Sequence, residues 1–307
     1  MATEHWATQS PVTDPGAAAG AIDALDPSLP ALRQASSQLV FHYRAGDYAR
    51  AGVDRARMAE IDTRFAAPML ARLVAADASL ARSPRPGASR TVGCCRDAAV
   101  LFLALARRRG VPARARVGFA SYIVPGWWMD HVVVDVWDAA EGRWRLVEPE
   151  LEEDLTHPDG HAMDFLELRR GVDFLVGPAA WIAARKGEVD HEKFVVAPQL
   201  QEAMLRGWPY LAHNVVHDLA ALDKKEMLLW DVWGSQERWE NAEAVTDEDA
   251  ALLDEISPRL VNLDITPEEV AELAGKKEYA IPREVTTADP LGGPLRQVDV
   301  SKVLGAA

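Results

Sequence analysis

The feature that most constrains this chain is an apolar helix that begins at a pair of adjacent cysteines. Residues 91–119 read TVGCCRDAAVLFLALARRRGVPARARVGF, and the apolar run at 98–106 is the longest in the chain. Asp97 stands in the first turn, arginines occupy the last turn and Gly110 follows, which is the charge order and stop signal of a helix. The run is far shorter than the roughly 20 residues that cross a bilayer, so it does not predict a membrane span.

The two cysteines, Cys94 and Cys95, are the only ones in the sequence. Cys95 falls at the first helical turn, where unpaired N–H groups and the helix dipole favour the reactive thiolate. Cys94 precedes the helix and lacks that support. The pair lacks the two-residue spacer of a redox dithiol, and burial as small apolar side chains is the main alternative. Because adjacent cysteines form no disulfide framework and no signal peptide is evident, we expect a cytoplasmic protein.

A predicted β-hairpin supplies a candidate base for the cysteine. The strand HVVVDVW, the turn DAAEG and the strand RWRLV follow one another in the sequence. With the turn centred near residues 139 and 140, His131 faces Glu148 and Asp135 faces Trp144, with about 4.5–5.5 Å between paired Cβ atoms. A carboxylate beside an imidazole orients the ring and stabilises its charged form. Glu150 lies on the same face and is a second candidate for this carboxylate.

Composition divides the chain into three parts. Residues 1–30 lack periodicity and are rich in Ala, Pro, Asp, Thr and Gly, which predicts a flexible leader. Residues 31–285 carry helical spacing, then a β pattern, then helical spacing again, and residues 286–307 are expected to be a loose tail. Helices, a compact antiparallel sheet and further helices indicate an α+β fold.

Charge and histidine spacing exclude some functions and leave others open. The net charge of −14 argues against general affinity for nucleic acid or anionic membranes, and a helix C-terminus accounts for the arginines at 107–109. Two histidine pairs have the i, i+4 spacing of zinc sites, in HPDGH (His157, His161) and in HNVVH (His213, His217). HNVVH lacks the glutamate of a metalloprotease motif, and neither pair has a cysteine pair nearby. We therefore predict no metal and no cofactor.

Two segments together resemble the transglutaminase-like superfamily. They are GCCRDAAVLFLALARRRGVPARARVGFASY and DHVVVDVWDAAEGRWRLVEPEL, and flanking segments such as LVFHYRAG extend the likeness to about residues 31–285. The resemblance implies a papain-like α+β core, with the nucleophile at a helix N-terminus packed on an antiparallel sheet. It also implies extra helices on both sides of this core in the sequence.

By position, the resemblance makes Cys95 the nucleophile, His131 the general base and Glu148 the orienting acid, where the family usually has aspartate. It implies cysteine-dependent acyl transfer or amide hydrolysis through a thioester, with the backbone N–H of Cys95 in the oxyanion hole. The expected substrate is a peptide, an amide or an acyl carrier. An amine acceptor would give transfer, and water would give hydrolysis.

Three residues just before His131 are expected to line the mouth of a substrate cleft. They are Trp127, Trp128 and Asp130, and the alternative is a loop packed over the edge of the sheet. The departure at Glu148 favours an alternative for the whole protein, namely a non-catalytic interaction protein that retains the fold.

Overall fold

The computed structural model describes residues 2–152, 155–241 and 243–305. Its helices are α1 (Ala19–Asp23), α2 (Leu29–Ser36), α3 (Tyr48–Ala51), α4 (Ala66–Ala76), α5 (Cys95–Arg108), α6 (Gly177–Arg185), α7 (Gly207–Leu222), α8 (Ser235–Glu240), α9 (Asp247–Leu260) and α10 (Pro267–Ala274). Its strands are β1 (Val40–His42), β2 (Thr91–Gly93), β3 (Ala113–Ala120), β4 (Trp128–Asp138), β5 (Arg143–Val147), β6 (Phe174–Val176), β7 (Phe194–Val195), β8 (Asp231–Val232), β9 (Glu284–Thr287) and β10 (Arg296–Asp299). The fold is α+β, as predicted.

The chain divides into two compact units, and neither is one continuous stretch. The first unit consists of Met1–Ala115, Val133–Asp154 and Asp164–Leu168. The second consists of Arg116–Val132, Leu155–Met163 and Arg169–Ala307. The domain expected over residues 31–285 contributes residues to both units.

Helix α5 forms the centre of the first unit. Every residue from Cys95 to Arg107 is buried, and α2 and α4 pack against the helix. A helix that is apolar all round is stable only when it is enclosed on every side. The predicted helix is confirmed, and its apolar composition explains why other helices pack around it.

The main sheet has five strands in the order β5-β4-β3-β6, and β7 pairs with β4. Strand β4 runs antiparallel to β5 and β3 runs antiparallel to β6, whereas β7 runs parallel to the start of β4. Two smaller sheets complete the strand pairing, one of β1 and β2 and one of β8, β9 and β10.

The β4–β5 hairpin exists as predicted, but its predicted register is wrong. Asp135 pairs with Leu146, and Trp144 pairs with Trp137 instead of Asp135. The carboxylate of Asp138 accepts hydrogen bonds from the backbone N–H groups of residues 140 and 141, at 2.9 and 3.1 Å. The loop thus begins at Asp138 and extends to the glycine at 142, so each strand residue meets a partner two positions later than expected.

The first thirty residues, predicted to be a flexible leader, are packed into the first unit. Trp6 is 1% exposed, and Val12 and Ile22 are fully buried. The indole of Trp6 meets Trp144 edge-to-face, with 5.7 Å between ring centroids, and the guanidinium of Arg114 lies 4.9 Å from the Trp6 ring. Composition fails here because a single tryptophan with a distant partner leaves no periodic pattern. Met1 lies outside the described residues.

Buried charges in this region are paired within the protein. Arg114 lies between two tryptophan rings, 4.2 Å from that of Trp144, and its Nε donates to Asp135 at 3.1 Å. Arg107 donates to the carbonyl oxygen of residue 113 and to the hydroxyl of Thr13, each at 3.1 Å. Because both buried guanidinium groups have these partners, we assign Arg107 and Arg114 a structural role.

The second unit is built around α7, with α6, α9 and α10 packed against it. Arg116 and Asp218 form a buried ion pair of 2.8 Å that ties β3 to α7. The tail at 286–307, predicted to be loose, forms the antiparallel pair of β9 and β10, and Val300 and Val303 are buried. Residues 306–307 lie outside the described part. Across the described ranges, no helix combines the length and apolarity that a membrane span requires.

The leader correction yields a stability prediction. Trp6→Ala should lower the free energy of unfolding by about 3–5 kcal/mol, the usual loss for a buried tryptophan. Urea denaturation measures this loss, with Leu291→Ala as a control because that side chain is 53% exposed. A loss below about 0.5 kcal/mol, as for an ordinary surface substitution, would mean that the first thirty residues contribute nothing to the core.

Candidate active site

Each position of the GCCRD motif has a structural reason at the start of α5. Gly93 ends β2, and a Cβ atom there would lie 2.5 Å from Oδ2 of Asp97. Cys94 is the N-cap, and its backbone N–H donates to that same oxygen at 2.9 Å. Asp97 is further paired with Arg96 at 3.0 Å. These contacts leave Cys95 as the first residue of the helix, the position predicted for a nucleophile.

The two thiols differ in their surroundings. Both cysteines are buried and neither forms a disulfide. A hydrogen bond with the Cys95 side chain lowers the pKa of the Cys94 thiol, but burial and the Asp97 carboxylate outweigh it and the net pKa is raised. Cys94 is therefore a protonated thiol at neutral pH. Cys95 lies where the helix start offers N–H groups to a thiolate.

Two glutamates follow β5 in the first unit. Glu148 is fully buried, and its Oε1 accepts hydrogen bonds from the backbone N–H groups of Glu150 and Leu151, at 2.8 and 3.3 Å. A carboxylate oxygen of Glu150 lies within 4.8 Å of the Cys95 sulfur. Within this unit the structure brings Glu150, the second candidate, close to the cysteine.

Tyr43 is a neighbour of the cysteines that the sequence analysis missed. Its backbone N–H donates to the carbonyl oxygen of Gly93 at 2.9 Å, and its hydroxyl accepts from Nε of Arg44 at 2.7 Å. Burial raises the pKa of Tyr43 to about 12. A neutral phenol able to donate a hydrogen bond therefore lies near the helix start. The segment LVFHYRAG contains Tyr43, but nothing in that segment indicates that the tyrosine has a role in the site.

The two tryptophans predicted to line a cleft belong to the second unit. Trp128 opens β4 opposite Phe194 of β7, and the two rings stack with 6.0 Å between centroids. The ammonium of Lys193 lies 4.7 Å from the centroid of the Trp127 ring. Both indoles are thus held by the segment around β7, and their role in binding a substrate stays a prediction.

His131 and Asp130 lie on β4 and also belong to the second unit. His131 is buried, and its ring meets Tyr122 edge-to-face with 6.2 Å between centroids. Asp130 is half-buried. The aromatic contact restricts the orientation of the imidazole.

The HNVVH histidines have a structural role in α7. Nε2 of His213 contacts the carbonyl oxygen of Leu229 at 3.0 Å, and Nε2 of His217 contacts that of Asp231 at 2.9 Å. The two rings stack with 4.1 Å between centroids. Burial lowers the pKa of His217 to about 4 and that of His213 well below its ordinary value. Both imidazoles are neutral and tie α7 to the β8 segment.

A buried thiol at the start of an enclosed helix on an α+β framework supports, at a general level, a cysteine-dependent enzyme. Residues 74–149 match the model of the transglutaminase-like superfamily, and this segment contains Cys95, His131 and Glu148. The predicted resemblance to the transglutaminase-like superfamily is confirmed over residues 74–149.

Comparisons with curated proteins and with solved structures give weaker results. No curated protein matches the chain. A solved structure from Cytophaga hutchinsonii, described as a candidate cysteine protease, matches with 16% identity and a TM-score of 0.19. That match covers 44% of this chain and 46% of the other, so it spans under half of either protein.

The neutral histidine pair predicts acid sensitivity. The folded-state pKa of His217 is below its unfolded value of about 6.5, so the unfolded chain binds more protons between about pH 6.5 and 4. The stabilisation is complete above pH 6.5 and is lost as the pH falls towards 4. Urea denaturation at pH 7 and pH 5 should show a loss of about 2 kcal/mol from His217 alone. The matched variant His217→Gln should lose less between these pH values, and equal losses would contradict the assignment.

Proposed function

We propose that this protein is a thiol enzyme that performs acyl transfer or amide hydrolysis through a thioester on Cys95. The observation that carries the proposal is the position of Cys95 as the first residue of α5, inside the segment that matches the superfamily. Thiolates are stabilised at helix N-termini, and the thiolate is the nucleophilic form of cysteine.

His131 is proposed as the general base. Its superfamily position and its place on β4 support this role, and its buried ring fits a fixed orientation. A carboxylate oxygen of Glu150 lies within 4.8 Å of the Cys95 sulfur, whereas Glu148 accepts backbone N–H groups of its own loop. These positions favour Glu150 over Glu148 as the carboxylate that orients the imidazole.

The proposed reaction has two stages. His131 accepts the thiol proton of Cys95, and the thiolate attacks the substrate carbonyl carbon to give a tetrahedral oxyanion. The backbone N–H of Cys95 is one donor to that oxygen. When the intermediate collapses, the C–N bond breaks, and His131 returns its proton to the departing amine. Water or a second amine then attacks the thioester, releasing an acid or a new amide and restoring the thiol.

The proposed substrate is a peptide, an amide or an acyl carrier, with Trp127, Trp128 and Asp130 beside its binding cleft. The net charge of −14 disfavours nucleic acid and anionic membranes as partners. Cys94 and Cys95 form no disulfide, which fits a reducing compartment such as the cytoplasm.

Alkylation by iodoacetamide, followed by mass spectrometry, tests the nucleophile. Cys95 should be labelled well below pH 8, because the helix start stabilises its thiolate. Cys94 should stay unlabelled at neutral pH, because burial and Asp97 raise its pKa. Cys94→Ala serves as the matched control and should keep the Cys95 profile. Equal labelling of both cysteines, or labelling of Cys95 only above about pH 8.5 as for an ordinary thiol, favours a non-catalytic protein that retains the fold.

The two glutamates can be separated by acylation with p-nitrophenyl acetate, which reports the attack of Cys95 on an activated ester. Glu150→Gln should slow the release of p-nitrophenolate at least about ten-fold, or 1.4 kcal/mol, because the imidazole loses its orienting charge. Glu148→Gln should mainly lower stability, by about 1–3 kcal/mol, because its carboxylate accepts two backbone N–H groups. If folded Glu148→Gln loses the rate while Glu150→Gln keeps it, the orienting acid is Glu148.

A further inference from the structure

The HPDGH segment of the second unit forms a closed loop that brings its two histidines face to face. Thr156 and Ala162 form an antiparallel bridge, and the backbone N–H of His157 donates to the carbonyl oxygen of His161 at 2.9 Å. The two imidazole rings stack with 4.5 Å between centroids. Backbone pairing holds this arrangement, so the side chains are positioned by the loop and not by a helix face.

The Nε2 atom of His157 is held by a partner on another segment. It lies 2.8 Å from the hydroxyl of Ser121, and that hydroxyl donates to the carbonyl oxygen of Val172 at 2.6 Å. Because the hydroxyl proton is already used, the Ser121 oxygen accepts from Nε2–H. The lone pair of His157 is therefore on Nδ1, which accepts a hydrogen bond from the backbone N–H of Asp159 at 3.2 Å and lies 3.2 Å from the carboxylate of Asp159.

The Nε2 atom of His161 is also held by a partner on another segment, and here the partner is a carboxylate. Its Nε2 lies 3.0 Å from Oδ1 of Asp173, a residue with 1% exposure, and its Nδ1 contacts Oδ1 of Asp159. A carboxylate that accepts from the outer ring nitrogen is the usual support of a metal-ligating histidine, since it fixes the tautomer and makes the inner nitrogen a better ligand.

Three potential ligand atoms thus converge on one point. The nitrogen atoms of His157 and His161 and a carboxylate oxygen of Asp159 all lie within 4.8 Å of one another. In this structure the backbone N–H of His161 donates to the carboxylate of Asp159 at 3.1 Å, and the Nδ1–H of its ring donates to the same oxygen. A metal ion bound at this point would take the place of the proton that Nδ1 of His161 shares with Asp159.

In this structure the guanidinium of Arg169 supplies a positive charge at the edge of the cluster. Its Nη2 lies 3.4 Å from Asp159 and 3.0 Å from Asp173, and it contacts the ring of His161. The Arg169 side chain is 44% exposed, so it can move into solvent without a large loss of packing. The cluster therefore attracts cations, and its present cation is replaceable.

We propose that this loop is a binding site for a divalent transition-metal ion, with Nδ1 of His157, Nδ1 of His161 and the carboxylate of Asp159 as ligands. Two imidazoles and one carboxylate suit Zn²⁺, and three protein ligands leave a fourth tetrahedral position open to water or another ligand. Metal entry displaces Arg169. The site is independent of the thiol chemistry proposed above, and it revises the expectation of no metal.

Equilibrium dialysis of the full chain against Zn²⁺, with the bound metal counted by mass spectrometry, tests the site. The wild-type chain should retain about one zinc ion that His161→Ala does not. Ser121→Ala removes only the outer partner of His157 and should weaken binding about ten-fold. Arg169→Ala should tighten binding, because the competing cation is gone. The matched control is His191→Ala, since His191 is a partly exposed histidine outside the loop.

Cobalt substitution separates this site from zinc captured by the cysteines. Co²⁺ held by nitrogen and oxygen ligands gives visible d–d bands without the near-ultraviolet charge-transfer band of a thiolate ligand. We expect the d–d bands in wild type and in Cys95→Ala and their loss in His161→Ala. Retention of zinc by His161→Ala at the wild-type level, no zinc in wild type, or a thiolate band that carries all of the cobalt signal would each overturn the proposal.

Discussion

Helix α5 is buried on every side, and the first unit is arranged around that constraint. All of its residues from Cys95 to Arg107 are buried, so its neighbours must cover it on every side. An enclosed helix cannot shift or rotate without opening the core, because protein interiors are close-packed. The first residue of such a helix is therefore fixed in space, and a reactive group placed there is held as rigidly as the core itself.

The same few atoms serve both the fold and the proposed chemistry at this helix start. Asp97 caps the N–H of Cys94, pairs with Arg96 and occupies the space that a side chain at Gly93 would need. The aspartate and the glycine of the motif are therefore required by packing, whatever the reaction. The functional argument therefore depends on Cys95, the first residue of the helix.

The features that were predictable from the sequence are those written in local patterns. The charges at the two ends of the apolar run correctly predicted α5. The β-branched strands on either side of the DAAEG turn correctly predicted the hairpin. The register depended on how the Asp138 carboxylate binds the turn, a detail of two hydrogen bonds that moves every pair by two residues. Pattern also failed for Trp6, whose partner Trp144 is distant in sequence, and for Tyr43, which only strand pairing brings to the cysteines.

The two histidine motifs also show what sequence spacing cannot predict. HPDGH and HNVVH have identical spacing, yet the first is a closed loop and the second is part of α7. In the helix, both Nε2 atoms contact backbone carbonyl oxygens in the core. In the loop, the outer nitrogens meet Ser121 and Asp173, so the inner ones face a carboxylate. Spacing alone cannot distinguish these two environments, whereas the partners of the ring nitrogens do.

The discontinuity of the two units has a consequence for synthesis. The first unit closes only with the segment Asp164–Leu168, so α5 leaves the ribosome well before its unit can be completed. At about 5–20 residues per second, the roughly sixty residues between them take several seconds to appear. During that interval the apolar run of α5 and the thiols of Cys94 and Cys95 are exposed together in the nascent chain. Slow translation through this stretch would lengthen the exposure and increase the need for a chaperone.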